Sequence, residues 1–480
     1  MKEGYIPQGE RKKILLLCDD IRVHSGIAHM GRELVINTAH HYNWVNLGGA
    51  INHPEAGQRF DLSADTNKQT GLTDSSVFLY PTNGYGNPDI LRQLIKMEQI
   101  DALFLITDPR YWVWLFEIEN EIRKSIPIIY LNIWDEYPAP YYNKTFYESC
   151  DALLGISKQT VNINKLVLGE KKENKIIEYL PHGVNPDVFR PLTEEEKNSS
   201  EFNAFKANML QGKDIDFTLL FNSRNIRRKQ IPDTILAYRH FIDSLPFEQA
   251  KKCLLLLHTN PVDEHGTDLH AVIELLCTGE QYNVHFTNGM YDNTRMNWLY
   301  NIADCSILLT SNEGWGLSLT EALLSGTPFI ANVTGGMQDQ MRFEWSDGSW
   351  IDFDDEFLSN HRKTVTKHGE WAFPVYPTSI SMQGSVPTPY IFDTRCEPEH
   401  AAARIKEVYT LGEKERIKRG KAGRQWALSE EAGFTSETMS KRAITYMDKL
   451  FATWKPRERY ELLKAGEYAP NSITHSLIYE

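Results

Sequence analysis

The sequence predicts an α/β protein made of two Rossmann-like, parallel-sheet domains in tandem. Three observations predict it. At 480 residues with 41% hydrophobic content, the chain can bury two cores. Short runs of Ile, Leu, Val and Phe alternate, in two separate series, with amphipathic stretches of about 10 to 15 residues, as strand and helix do in parallel α/β structure. A polar segment, 193–216, with the acidic run Glu194-Glu195-Glu196, interrupts the alternation between the two series.

In the first series, strands are expected at Lys13–Cys18, Trp44–Leu47, Val77–Tyr80, Ala102–Ile106, Pro127–Asn132, Ala152–Ile156 and Ile176–Leu180. Helices are expected at Ile27–Ala39 and Ile90–Gln99. The first domain is therefore placed at 1–192 and the linker at 193–216. The second series carries expected strands at Phe217–Asn222, Cys253–His258, Val284–Thr287, Cys305–Thr310 and Thr327–Asn332. Its helices are expected at Pro232–Ser244, Leu269–Cys277, Arg295–Ala303 and Leu317–Ser325, giving a second domain over 217–428.

Between Met337 and Thr388 the alternation lapses into a stretch with Trp345, Trp350, Phe353, Phe357, Trp371, Phe373 and Tyr376. A loop of that length in a compact domain calls for a reason. It reads as an insertion, either recognising an acceptor or covering a sheet edge. A charged helix around Lys414–Arg424 and a long helical segment over Ser429–Leu463 complete the chain, with 429–480 expected to pack back on the first domain.

The composition excludes several function classes. Apolar runs such as Ile14–Cys18 and Cys253–Leu257 are of strand length, far short of the roughly 18 residues that suggest a membrane span. The first 13 residues lack the apolar core of a secretory signal, so no stable membrane insertion and a cytoplasmic location are expected. Six scattered cysteines without C-x-x-C spacing read as buried thiols. A formal net charge of -13 disfavours indiscriminate binding to nucleic acid or anionic membrane.

The passage that carries chemistry is Ser306–Gly336. A buried strand ends in Thr310-Ser311-Asn312, followed by Glu313-Gly314-Trp315-Gly316 and a helix beginning near Leu317. Open parallel sheets bind ligands beyond the carboxyl ends of their strands, which is where this loop falls. Two glycines allow close backbone approach, and a helix N-terminus offers unpaired N–H groups to a diphosphate. Glu313 and Glu321, eight positions apart, can address different parts of one elongated ligand, since carboxylates accept hydrogen bonds from sugar and ribose hydroxyls.

In that setting the sequence resembles glycosyltransferase family 4, whose donor domain carries E-x7-E here matched by Glu313 and Glu321. The resemblance implies a GT-B fold, two Rossmann-like domains facing a central cleft, and transfer of a sugar from a nucleotide-sugar with retention of anomeric configuration. It implies that Glu313 contacts the transferred sugar, Glu321 the ribose, and the backbone of Gly314, Trp315, Gly316 and Leu317 the diphosphate or sugar. The Trp315 ring either stacks on the ligand or packs to close the loop.

A second passage, Phe221-Asn222-Ser223-Arg224-Asn225-Ile226-Arg227-Arg228-Lys229, ends the first strand of the second domain. Its Arg224 and Lys229 resemble the family's diphosphate clamp, and fixed cations stabilise the charge that builds on a departing nucleoside diphosphate. Arg227 and Arg228 either join this cluster or are surface charges. Pro181-His182-Gly183 resembles the interdomain passage, with His182 a turn or hinge residue. Gly26, in the glycine-containing loop after the first strand, is a further donor-side candidate.

The sequence departs from the family pattern at Trp134-Asp135-Glu136, where many relatives carry a cleft histidine. Asp135 or Glu136 contacts sugar or acceptor there, with Asp135 favoured, or caps the next segment. No Asp-x-Asp signature accompanies the donor motif, so no metal or other cofactor is expected, and a UDP-sugar is the expected co-substrate.

The stretches His368-Gly369-Glu370-Trp371 and Pro387–Asp393 resemble a viral and phage-associated branch, implying hydroxymethylated DNA bases or surface polysaccharides as acceptors and, in a virus, a host-cytoplasmic location. Lys414, Arg416, Lys418, Arg419, Lys421 and Arg424 either contact phosphates or form one solvated helix face. The competing classes are a nucleotide-sugar-binding protein that transfers nothing and a glycoside phosphorylase.

Overall fold

The computed structural model describes residues 4–287, 289–353 and 364–458. The first sheet has eight strands: β1 (Lys13–Asp19), β2 (Asn43–Gly49), β3 (Phe60–Asp61), β4 (Val77–Pro81), β5 (Ala102–Ile106), β6 (Ile128–Asn132), β7 (Ala152–Gly155) and β8 (Ile176–Tyr179). Their order is β3-β4-β2-β1-β5-β6-β7-β8, parallel except for the short edge strand β3. The second sheet contains β9 (Phe217–Asn222), β10 (Cys253–His258), β11 (Asn283–Phe286), β12 (Cys305–Leu308), β13 (Phe329–Asn332) and β14 (Ala372–Val375). It runs β11-β10-β9-β12-β13-β14, parallel throughout. A separate hairpin joins β15 (Ser379–Ser385) to β16 (Thr388–Arg395).

Both sheets are covered by helices, which is why their strands read as unbroken apolar runs: Ile14–Cys18 and Leu255–Leu257 are fully buried. In each sheet the strand order reverses direction at one place, between β1 and β5 in the first and between β9 and β12 in the second. Crevices open at such reversals, beyond the carboxyl ends of the strands.

Three sequence expectations are corrected. The 193–216 linker is not irregular. Thr193 and Glu196 form a reciprocal capping box that turns the acidic run into a short helix, and the Ser200–Met209 helix buries Phe202 and Met209 in the second domain's core. The 337–388 stretch is not simply inserted, because its Ala372–Val375 segment adds the edge strand β14. Its aromatics pack inward as well: Trp350 and Trp371 both meet Trp426. Phe357 lies outside the described residues. The final helix is shorter than expected, spanning Ser436–Thr453; Gly433 has a positive φ and Thr435 caps the start.

That helix lays Met439, Ala443, Met447 and Leu450 against the first domain's core. The chain therefore crosses twice between the domains, and the crossings lie side by side: Val184 N–H donates to Phe434 O at 3.0 Å and Ser436 N–H to Val184 O at 3.0 Å. Gly183 packs directly on the Thr435 backbone, where a Cβ would approach its carbonyl oxygen to 2.5 Å.

Candidate functional site

The loops after β9 and β12 meet at the reversal point of the second sheet. Ser311 N–H donates to Arg228 O at 2.8 Å and the Thr310 hydroxyl to the same oxygen at 2.9 Å, which stitches the two loops together. Beside this stitch, the Glu313 carboxylate takes the Lys229 ammonium and, at 3.1 Å, the Arg228 guanidinium. Glu313 and Lys229 are buried. Burial pushes the Glu313 carboxyl up, but the two cations outweigh it and hold it down at about 2. Glu313 is therefore an anion at neutral pH, fixed in position by two cations.

Glu321 lies one layer deeper, in the buried face of the Leu317–Ser325 helix. The Tyr300 hydroxyl donates to it at 2.6 Å and accepts in turn from Asn222 at 2.7 Å, linking the end of β9 to the helix. Burial raises its carboxyl to about 7, with the Tyr300 bond pulling the other way.

The glycines hold the loop in place. Gly316 has φ 87° and starts the helix. Gly335, with φ +52°, sits so close that a Cβ would fall 1.9 Å from Glu313 O and 3.1 Å from Asp135 O. A Cβ on Gly314 would lie 2.7 Å from Ile133 O, so the first domain presses directly on the loop that carries Glu313.

Trp315 is only 3% exposed, donates from Nε1 to Thr320 at 2.9 Å and meets the Phe434 ring edge to face at 4.9 Å. A ring covered in this way has no free face for a ligand. Of the two readings of Trp315 as a donor residue, packing holds and ring stacking is corrected; any ligand contact there is through backbone.

The basic run also sorts differently from its sequence reading. Arg228, left open between the cluster and the surface, is on Glu313 and lines the cleft, whereas Arg224 is exposed and held by Asp263 at 3.0 Å. Asp135 and Glu136 have different surroundings. Glu136 is fully buried, accepts the Tyr137 N–H at 2.9 Å and the Thr334 hydroxyl, and so ties the two domains together. Asp135 faces the cavity beside Arg228 and Glu313; burial raises its carboxyl, Arg228 lowers it and Glu313 raises it further.

Gly26 is exposed, with open space where a Cβ would stand. It begins its helix behind Ser25, whose hydroxyl donates to Asp19 at 2.5 Å. His182 is buried, its Nε2 3.0 Å from His29 Nδ1, and burial depresses both rings.

A cavity of about 430 Å³ opens between the domains. Asp108 and Arg110 enter from the loop after β5, Asn132 and Asp135 from the end of β6, and Arg228 and Asn312 from the donor side. Sequence reading missed Asp108 and Arg110, although their place just past a strand's carboxyl end was a usable signal. Among the described residues, no group of three or more His, Cys, Asp and Glu is arranged to hold a metal ion. No described helix is long and apolar enough to cross a membrane.

Comparison with known proteins places this arrangement. The family model described as glycosyl transferases group 1 matches residues 270–360, which include Glu313 and Glu321. No curated protein matches the chain. Among solved structures, sucrose-phosphate synthase from Thermosynechococcus elongatus superposes with a TM-score of 0.61 at 15% identity, covering 92% of this chain and 100% of that one. The fold is that of the GT-B glycosyltransferases. The Anabaena protein HepE, in complex with UDP and glucose, gives a TM-score of 0.59 at 12% identity over 92% of this chain and 100% of its own. An E. coli trehalose-6-phosphate structure bound with UDP-2-fluoro glucose gives 0.60 at 12% identity, covering 93% and 100%. The 270–360 segment thus matches a glycosyl transferases group 1 model, within a chain whose fold is GT-B.

Proposed function

We propose that the protein moves a sugar from a UDP-sugar to a hydroxyl acceptor with retention of anomeric configuration, on the family 4 pattern. The observation that carries this reading is the Glu313, Lys229 and Arg228 cluster at the reversal point of the second sheet, with Glu321 behind it. Glu313 receives the transferred sugar's hydroxyls and Glu321 the ribose hydroxyls. The backbone from Gly314 to Leu317 presents N–H groups to the diphosphate.

Lys229 neutralises charge on the departing diphosphate, joined by Arg224. The Arg224 pair with Asp263 is exposed, and such pairs are worth only about 0.2–1 kcal/mol, so the guanidinium is free to swing to a diphosphate. Asp135 accepts the acceptor hydroxyl's hydrogen bond from across the cleft. The acceptor oxygen attacks the donor's anomeric carbon on the face from which the phosphate leaves, and the leaving phosphate takes the hydroxyl proton. The protein's part is alignment and electrostatic stabilisation. UDP as the nucleotide is supported by the ligands of HepE and the E. coli structure.

A nucleotide-sugar panel with detection of released nucleoside diphosphate tests the reading. Donor-dependent release is expected with a UDP-sugar; binding without turnover would support a non-catalytic sugar-nucleotide receptor instead. Mass detection on hydroxymethylated DNA, unmodified DNA, glycans and lipids tests the acceptor. The basic run does not favour DNA: Arg416 is buried against Asp304, Arg419 pairs with Glu415 and Arg424 caps carbonyl oxygens of Phe189 and Leu324. Of that run, Lys414, Lys418 and Lys421 are exposed, and Lys418 pairs with Glu415 at 3.4 Å.

Proton linkage at Glu321 gives a further expected result. Its folded-state carboxyl stands near 7, above the ordinary 4.5, so it favours folding below about pH 4.5 and this contribution is lost as pH rises through 7. Ribose hydroxyls donate to the ionised form, so UDP binding at pH 6.5 should release protons. Calorimetry in buffers of different ionisation enthalpy should detect the release, and E321Q should abolish it.

A further inference from the structure

We propose that the cavity between the loops after β5 and β6 and the β15–β16 hairpin is the acceptor subsite, and that it takes an uncharged, polyhydroxylated saccharide. This rests on the donor reading above. The hairpin belongs to the second domain by its base, where the Thr394 hydroxyl donates to Ser311 O at 2.6 Å and Asn332 donates to Thr394 O at 2.9 Å. It then crosses to the first domain. Phe392 N–H donates to Tyr137 O at 2.7 Å, the Tyr142 hydroxyl to Tyr390 O at 2.9 Å, and the two tyrosine rings meet at 4.8 Å. Gln383, Gly384, Ser385, Thr388 and Ile391 thereby wall a space whose opposite side is the donor grip at Arg228 and Asn312.

The charges in that wall select the ligand. Arg110 is held by Asp108, its Nε donating at 2.7 Å, and lies over the Trp134 ring at 5.7 Å. Arg228 is committed to Glu313. Arg110 has Asp108, Arg228 shares Glu313 with Lys229, and Asp135 stands beside Arg228 as the remaining carboxylate, so the three cations here are balanced by three carboxylates. A phosphorylated or polyanionic acceptor would meet Asp135 and would have to break a formed ion pair to find a cation. A neutral saccharide meets no such cost. Its hydroxyls can donate to Asp135 and Asp108, while ring C–H groups face Ile133, Trp134 and Ile391. A volume of about 430 Å³ suits a compact ligand and not a nucleic-acid duplex.

The test uses the full chain and a UDP-sugar that turns over. Acceptors are free mono- and disaccharides, a longer oligosaccharide, the matching sugar phosphates, and hydroxymethylated DNA. Neutral saccharides are expected to be glycosylated at least tenfold more efficiently in kcat/KM than their phosphates, and comparing the free sugars with the oligosaccharide tells whether the occupant is a whole molecule or a chain end.

S385W, at an exposed position of the cavity wall, should raise the acceptor KM at least tenfold with UDP affinity within twofold of the parent. V386W, on the same hairpin but 88% exposed and outside the wall, should leave that KM unchanged. Preference for phosphorylated sugars or DNA, or an S385W enzyme with parental KM, overturns the inference while leaving the donor reading standing. Absence of UDP binding overturns both.

Discussion

Replacing Lys229 by alanine should depress sugar transfer by about 10²–10³-fold, the usual effect of removing one preorganised group facing developing charge. The Lys229 ammonium is buried and touches Glu313, so its loss removes one of two restraints on that carboxylate and, on the proposed mechanism, the fixed cation at the departing diphosphate. The fold should survive, because Arg228 stays on Glu313 at 3.1 Å. Steady-state kinetics checks the first statement and circular dichroism the second.

A stability signature accompanies it. Glu313 has a depressed folded-state carboxyl, about 2 against an ordinary 4.5, so it contributes stability above about pH 4.5 that is lost as pH falls toward 2. In K229A that acid-side loss should be smaller than in the parent, seen as a flatter pH dependence of Tm between pH 5 and pH 3. E313Q should likewise abolish most transfer; parental turnover in both variants would remove the basis for the donor assignment.

The second large effect is expected at Gly335. An alanine there must adopt φ +52° and place its Cβ 1.9 Å from Glu313 O, so the donor loop has to move. The left-handed backbone and the overpacking together cost roughly 2–5 kcal/mol. G335A should therefore unfold at markedly lower denaturant concentration and lose UDP affinity along with transfer. If G335A keeps parental stability and parental UDP binding, the turn does not position Glu313.

How much of this was legible differs by element. The central strands of both sheets could be read because they are buried on two faces, and continuous apolar runs of five or six residues have few other meanings in an α/β chain, whereas the two-residue, partly exposed edge strand β3 left no such run. β14 escaped because its sequence, Ala-Phe-Pro-Val, contains a proline that argues against a central strand; at the sheet edge a missing N–H is tolerated. The hairpin escaped because its strands are mostly exposed and carry no strict alternation of apolar residues.

Within the site, Glu313, Glu321 and Lys229 stood out through their resemblance to the motifs of glycosyltransferase family 4, in a strand-loop-helix setting. Arg228 did not, since three consecutive basic residues look alike until a short 3-10 turn at Arg227–Lys229 aims them differently. Asp135 and Glu136 were indistinguishable for a similar reason: adjacent residues share every local signal, and only the partner across the cleft separates them. Thr334 captures Glu136, leaving Asp135 to face the cavity.

By itself, then, the sequence determined the two-domain parallel α/β architecture and the position of the donor motif at the carboxyl edge of the second sheet, because burial and strand-to-helix periodicity are written locally. Only the tertiary structure decided which basic side chains reach Glu313, which carboxylate lines the cleft, and that a hairpin of the second domain crosses to the first and walls the cavity between them. Those outcomes depend on contacts between segments some 80 to 250 residues apart, such as Arg228 with Glu313 and Tyr142 with Tyr390, and no local pattern encodes such pairings.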